Sequence, residues 1–261
     1  MKKTVKELIH YRELLWVFTW KNIVLRYKQT VMGFLWALFM PALIVLSGIV
    51  VKKAMSTLSG SPLGLAEVAS VSVKALPWAF FVGTLKFDVT SLIANMGMVK
   101  KIYFPREIFP LSYVISQFFD FIVATGVLII VLAFVKIGIS IHLLWVPLLI
   151  IFLFFLTAGF SLLAACGALF FRDIKYIVDV LLTFGIFFTP VFYDAGMFKE
   201  WKTLLLLNPM GAILENINTV VILHQAPDFN WLIYAGIWAI GGFILSWVIF
   251  KKAEPLFAEY I

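Results

Sequence analysis

The sequence predicts an all-α integral membrane protein with six transmembrane helices. Two observations carry that prediction. Hydrophobic residues make up 63% of the 261 residues and charged residues only 13%, against about 25% charged in a soluble domain. A chain this apolar cannot hide its apolar surface inside a water-soluble fold. The apolar residues also gather into stretches near the ~20 residues that a helix needs to cross ~30 Å of hydrocarbon. Spans are expected at 32–52, 77–95, 112–135, 143–168, 176–193 and 231–250. Each is expected to be helical, because a helix satisfies its own backbone polar groups in lipid.

Before the first span, residues 1–31 carry Leu8, Tyr11, Leu15, Phe18 and Leu25 at helical spacing. Glu7, His10, Glu13 and Lys21 fall between them. The pattern predicts an amphipathic helix lying along the inner membrane surface. No short apolar stretch followed by a small-residue cleavage site occurs there, so the segment is expected to stay uncleaved. Residues 251–261 form a short tail after the last span. The whole chain reads as one membrane domain, 1–261.

Basic residues orient the spans. Fourteen lie in residues 1–31, the loop after span two, the turn after span four and the tail; six lie in the opposite connections. The positive-inside rule then puts both termini in the cytoplasm, with the chain in the cytoplasmic (inner) membrane. The net charge of +7 is explained by this anchoring and by anionic lipid rather than by nucleic acid.

The loop between spans two and three, residues 95–111, contains Asn95-Met-Gly-Met-Val-Lys-Lys-Ile-Tyr-Phe-Pro-Arg-Glu-Ile-Phe-Pro110. Met98 to Phe104 is expected to form a short helix ended by Pro105. Val99, Ile102 and Tyr103 would offer an apolar edge, and Lys100 and Lys101 a charged one. That mix suits a groove on a soluble partner. Positive-inside anchoring also accounts for the two lysines. The outer segment 194–230 is apolar around 203–207 and 212–223, broken at Asn208-Pro209. Runs that short are interfacial or re-entrant rather than crossing, so short outer helices are expected on either side of Pro209.

Within the spans, Phe184, Phe188 and Phe192 recur every four residues, with Phe187 beside them. Such spacing stacks side chains on one helical face. The face either meets lipid and neighbouring helices or lines a path with stacking rings. Lys86, Asp88, Asp120 and Asp179 lie inside the expected spans, where each charge costs about 2.5–3.5 kcal/mol. Lys86 and Asp120 are expected to pair; a proton relay is the functional alternative. Small residues, Gly159, Ala164, Ala165, Gly167 and Ala168 in span four and Ala235, Ala239 and Gly242 in span six, favour close helix packing.

Catalytic motifs are missing. The sequence holds no G-x-x-x-x-G-K-[ST] loop for ATP phosphates, no G-x-S-x-G and no H-E-x-x-H. Cys166 is the only cysteine and the three histidines are scattered, so no metal site is expected. Chemistry by this chain alone is not expected.

Three regions together resemble a known family. Arg26-Tyr27-Lys28, Gly33-Phe34-Leu35-Trp36 and Pro41 open the first span. Tyr103-Phe104-Pro105-Arg106-Glu107 follows the two lysines. Phe171-Arg172-Asp173 precedes a span ending in Thr189-Pro190-Val191-Phe192-Tyr193. The combination is similar to ABC-2 type export permeases, most closely those that move polysaccharides. The resemblance implies a separate ATPase that binds ATP and Mg, pushing on Met98, Val99, Lys100, Lys101, Ile102, Tyr103 and Phe104. It implies two copies of this chain, with spans one and five lining a path for a lipid-linked polysaccharide such as O-antigen, teichoic acid or capsule. No cofactor is expected in this chain. A proton-coupled secondary transporter using the buried acids, or a membrane enzyme acting on lipid-linked sugars, are the alternatives.

Overall fold

The computed structural model describes residues 2–28, 30–59, 64–101, 104–198 and 200–257. Among them every long element is a helix. The amphipathic segment forms α1 (Lys2–His10) and α2 (Arg12–Tyr27). Next come α3 (Trp36–Ser59), α4 (Leu65–Asp88), the short α5 (Ser91–Ala94) and α6 (Met96–Lys101), and α7 (Ile108–Phe134). They are followed by α8 (Val146–Phe170) and α9 (Ile174–Phe188), then α10 (Lys202–Leu206) and α11 (Pro209–Val221). The last helix is in two parts, α12 (Phe229–Gly236) and α13 (Gly242–Ala253), joined by a π-helical turn at Ile237–Gly241.

Among the described residues, five helical stretches are long and apolar enough to cross a membrane: Trp36–Ala54, Leu65–Asp88, Ile108–Phe134, Ile141–Phe170 and Phe229–Leu256. The second differs most from the expected 77–95. Glu67, Ser70 and Lys74 give its first turns a polar look, yet Ser70 and Lys74 are buried and bonded to the outer segment. At its other end the helix turns at Val89 and Thr90. The expected fifth span, 176–193, is represented by α9. Its 15 residues rise about 22 Å, less than ~30 Å of hydrocarbon. The helix stops at Thr189, which is extended (φ −115°, ψ 133°), because the residue before a proline is driven out of the helical region.

The core is shared by α4, α7, α8 and α11, with α4 and α8 running through it. α4 contributes Val71, Ala75, Trp78 and Leu85, and α8 contributes Leu149, Leu153, Ala158 and Ala168, all buried. A small residue on α8 permits a close helix contact. A Cβ at Gly159 would stand 3.1 Å from the Phe243 backbone, so α13 rests directly on α8. By contrast α3 and α9 turn wide apolar faces outward, including Leu43, Leu46 and Val50 on α3 and Val180, Leu181 and Phe184 on α9. In water such faces would be an error; in lipid, or against another copy, they are at home.

Candidate coupling loop and transport face

The inner loop is anchored more deeply than its sequence suggests. The helix runs over Met96–Lys101, not to Phe104. Ile102 and Tyr103 lie outside the described residues, as do the side chains of Val99, Lys100 and Lys101. Phe104 is buried and meets Phe109 edge-on at 5.3 Å. Met98 packs against the same aromatic cluster, which includes Phe18 of α2. Phe104 therefore fastens the loop to the bundle and is not displayed to a partner, which corrects its expected role. Its ring is drawn inward, and Pro105 holds it out of helical geometry.

Immediately after Pro105 the chain meets the end of α13. The Arg106 backbone N–H donates to Glu254 Oε1 at 3.1 Å, and its guanidinium donates to the Glu254 carbonyl at 2.6 Å. Lys251 donates to Glu107 Oε2 at 2.7 Å and to Glu254 Oε2 at 2.9 Å. Glu107 is almost wholly buried. Burial pushes its carboxyl above the ordinary range, against the pull of Lys251. A cleft of about 650 Å3 lined by Lys6, His10, Tyr11, Arg106 and Glu254 opens beside this network.

The aromatic stripe divides. Phe184, Phe187 and Phe188 are exposed at 58%, 63% and 71%. Phe192 is buried, against Gly48 of α3 and Val71 of α4. The four-residue spacing holds only while the chain is helical, and the helix has ended before Pro190. The expected Phe192 position on the stripe is thus corrected: it is a packing residue.

The expected Lys86–Asp120 pair is not formed. Lys86 pairs with Asp179 of α9 at 2.8 Å. Asp120 accepts from the Arg26 guanidinium, which also donates to Ser116 at 2.7 Å. Asn22, one turn before Arg26, donates to Ser112 at 3.0 Å. Lys86 lies on the face of α4 toward α9, whereas Asp120 lies on the face of α7 toward α2. The amphipathic segment is therefore clamped to α7 through polar side chains, which hydropathy alone does not reveal. The i, i+4 spacing of Asn22 and Arg26 was the available signal. An apolar cavity of about 540 Å3, lined by Trp36, Met40, Phe80, Phe87 and Phe121, opens beside Arg26.

A second polar cluster, which local sequence pattern does not reveal, closes the opposite end of the bundle. Lys74, fully buried, donates to the Tyr193 carbonyl at 2.6 Å and to Asp194 Oδ1 at 2.7 Å, and stands 3.6 Å from Glu215. Lys52 of α3 reaches Asp194 at 3.3 Å. Burial raises the Asp194 carboxyl, but Lys74 and Lys52 outweigh it and hold it below the ordinary range. Glu215 accepts from the Ala195 N–H at 2.7 Å; there burial prevails and the carboxyl is raised. The break at Asn208-Pro209 is formed as expected. The Asn208 side chain accepts from the Met210 N–H at 3.1 Å and caps α11. Among the described residues no group of three histidine, cysteine or acidic side chains is placed to hold a metal.

Comparison with known proteins agrees with this architecture. Two Klebsiella pneumoniae proteins named O-antigen export system permease protein RfbA are 28% and 27% identical, each over 95% of both chains. A Myxococcus xanthus protein of the same name is 24% identical over 100% of both. Residues 13–221 match the family model described as ABC-2 type transporter. That match takes in the clamped amphipathic helix, the inner loop and the broken outer segment, and the chain belongs to the ABC-2 type transporter family: it is a transport subunit and not itself an enzyme.

Proposed function

We propose that this chain is the permease subunit of an ATP-driven exporter that moves a lipid-linked O-antigen polysaccharide across the cytoplasmic membrane. The likeness to O-antigen export permeases from end to end carries the reading. The sequence has no P-loop, so ATP and Mg belong to a separate ATPase subunit. That ATPase docks on the inner loop around α6, with Ile102 and Tyr103 at the contact. Fixing of the loop's base by Met98 and Phe104 supports this, because a push on an anchored loop reaches the bundle.

Two copies of the chain form the path. One bundle keeps its interior filled by side chains of α4, α7, α8 and α11, while among the described residues α3 and α9 leave wide apolar faces exposed. Phe184, Phe187 and Phe188 present rings to the polymer, and stacking on aromatic faces tolerates sliding. The expected fifth span is completed by α9 together with residues 189–193, of which Thr189, Val191 and Phe192 are buried. Non-helical backbone is tolerated at membrane depth where protein covers it. Both termini then face the cytoplasm and the α10–α11 unit faces outward.

Capture tests the docking. Ile102→Asp with Tyr103→Asp is expected to weaken co-purification of the ATPase by about tenfold or more, with the permease still inserted. Normal capture and normal export in that variant would overturn it.

A further inference from the structure

We infer that the last span is a jointed lever that carries motion of the inner loop to the outer α10–α11 cap, gripped through Glu107 and Lys251 and bending at the π-turn Ile237–Gly241. The inference rests on the reading that an ATPase moves that loop, and deepens it by naming how the motion crosses the membrane.

The inner grip is the network already described. Arg106 and Glu107 follow the coupling loop directly, and both are bonded to the last turns of the sixth span through Glu254 and Lys251. Displacing the loop therefore displaces the end of α13 as well as α7. The outer grip is equally specific. The Asp228 N–H, at the start of α12, donates to Asn216 of α11 at 2.8 Å. One turn and a half later, the Tyr234 hydroxyl donates to the Leu207 carbonyl at 2.6 Å, in the link between α10 and α11. Glu215, also on α11, belongs to the Lys74 cluster.

Between the grips the helix is not uniform. Its hydrogen-bond ladder loosens to a π-turn at Ile237–Gly241, a feature that marks functional sites and kinks. Gly241 and Gly242 sit at its end, and a Cβ built on either would meet nothing within 4 Å. Packing does not require glycine there, and glycine weakens a helix relative to alanine. What glycine supplies is backbone compliance. A fulcrum lies beside the joint: Gly159 lets the Phe243 backbone approach α8 so closely that an added Cβ would stand 3.1 Å away. A strut needing only stiffness would carry alanine at both positions.

The test uses the permease assembled with its ATPase in liposomes, reading polymer exported per ATP hydrolysed. Gly241→Ala with Gly242→Ala is expected to lower that ratio about fivefold or more, with ATPase capture unchanged. Gly126→Ala in α7, where an added Cβ also meets nothing within 4 Å, is the control and is expected to have no effect. If the double variant accumulates poorly, Gly242→Ala alone is read in the same way. Lys251→Gln is expected to lower the same ratio. Combined with the glycine variant it should add no further loss, because both act along one path. Export per ATP within twofold of the unaltered protein in the glycine variants, or losses that multiply, would overturn the lever. The ATPase remains bound in every variant here, so this failure is distinct from failure of the docking reading, which is read by capture.

Discussion

The two ends of the molecule solve one problem differently. Each sets a lysine between two carboxylates, at least one of them from a distant segment. On the outer side Lys74 is fully enclosed and Asp194 has two lysines, so charge wins over burial and the Asp194 carboxyl is held low. On the inner side Lys251 keeps 22% of its side chain exposed and Glu107 has that lysine as its cation, so burial wins and the carboxyl is raised. The Lys74 network joins α3, α4 and α11 around a fully buried lysine. The Lys251 network joins the start of α7 to the end of α13, and its lysine stays partly open to solvent. The difference separates a clamp from a grip.

Replacing the lysines sharpens that comparison most. Lys74→Met leaves buried Glu215 without its cation and Asp194 with Lys52 alone, and is expected to cost about 3–5 kcal/mol. Lys251→Met should cost less, about 1–3 kcal/mol, because solvent still reaches the site. Thermal unfolding of the purified permease measures both. Equal costs at the two ends would erase the distinction.

Acid tests the same contrast more gently. Asp194, with its pKa lowered on folding, contributes stability above the ordinary carboxylate range, and that contribution is lost as pH falls through its lowered value. Glu107 has the opposite sign: its burial costs stability when ionised, and the cost is relieved as pH falls through its raised value. Mild acidification should therefore ease Glu107, and Glu215 in the other cluster with it, while leaving the Asp194 pairing intact until below about pH 4. Melting midpoints followed against pH in Asp194→Asn and Glu107→Gln should lose the acid-side drop and the mild-acid gain, respectively.

The smallest stability effect is expected at the aromatic face. Phe184→Ala, Phe187→Ala and Phe188→Ala together should change stability little, within about 0.5 kcal/mol per site, yet reduce polymer export. Phe192→Ala near the outer clamp should instead cost about 3–5 kcal/mol. If leucine at the three exposed sites supports normal export and alanine there only blocks assembly, the face is packing.

Hydropathy and turn chemistry made much of the fold legible. The apolar stretches, the amphipathic start and the Asn208-Pro209 break all come from local pattern, which one sequence displays. Spans one, three, four and six begin and end near the expected positions. The start of α4 was misplaced because Glu67, Ser70 and Lys74 read as loop, whereas Lys74 is neutralised by residues more than a hundred positions away. Pairings at such separation leave no local trace, which is why Arg26–Asp120 replaced Lys86–Asp120. Phe192 was legible in principle: Thr189-Pro190 ends the helix, and with it the four-residue register. The polar networks at both ends were not legible, since their members are ordinary charged residues until the fold brings them together.

The most direct measurement of the central claim is reconstitution. Permease, partner ATPase and lipid-linked polysaccharide are combined in sealed liposomes, and polymer reaching the far side is measured with ATP, without ATP, and with an imposed proton gradient alone. Transport is expected only when the chain, the ATPase and hydrolysable ATP are all present. Transport driven by the proton gradient without the ATPase would contradict it.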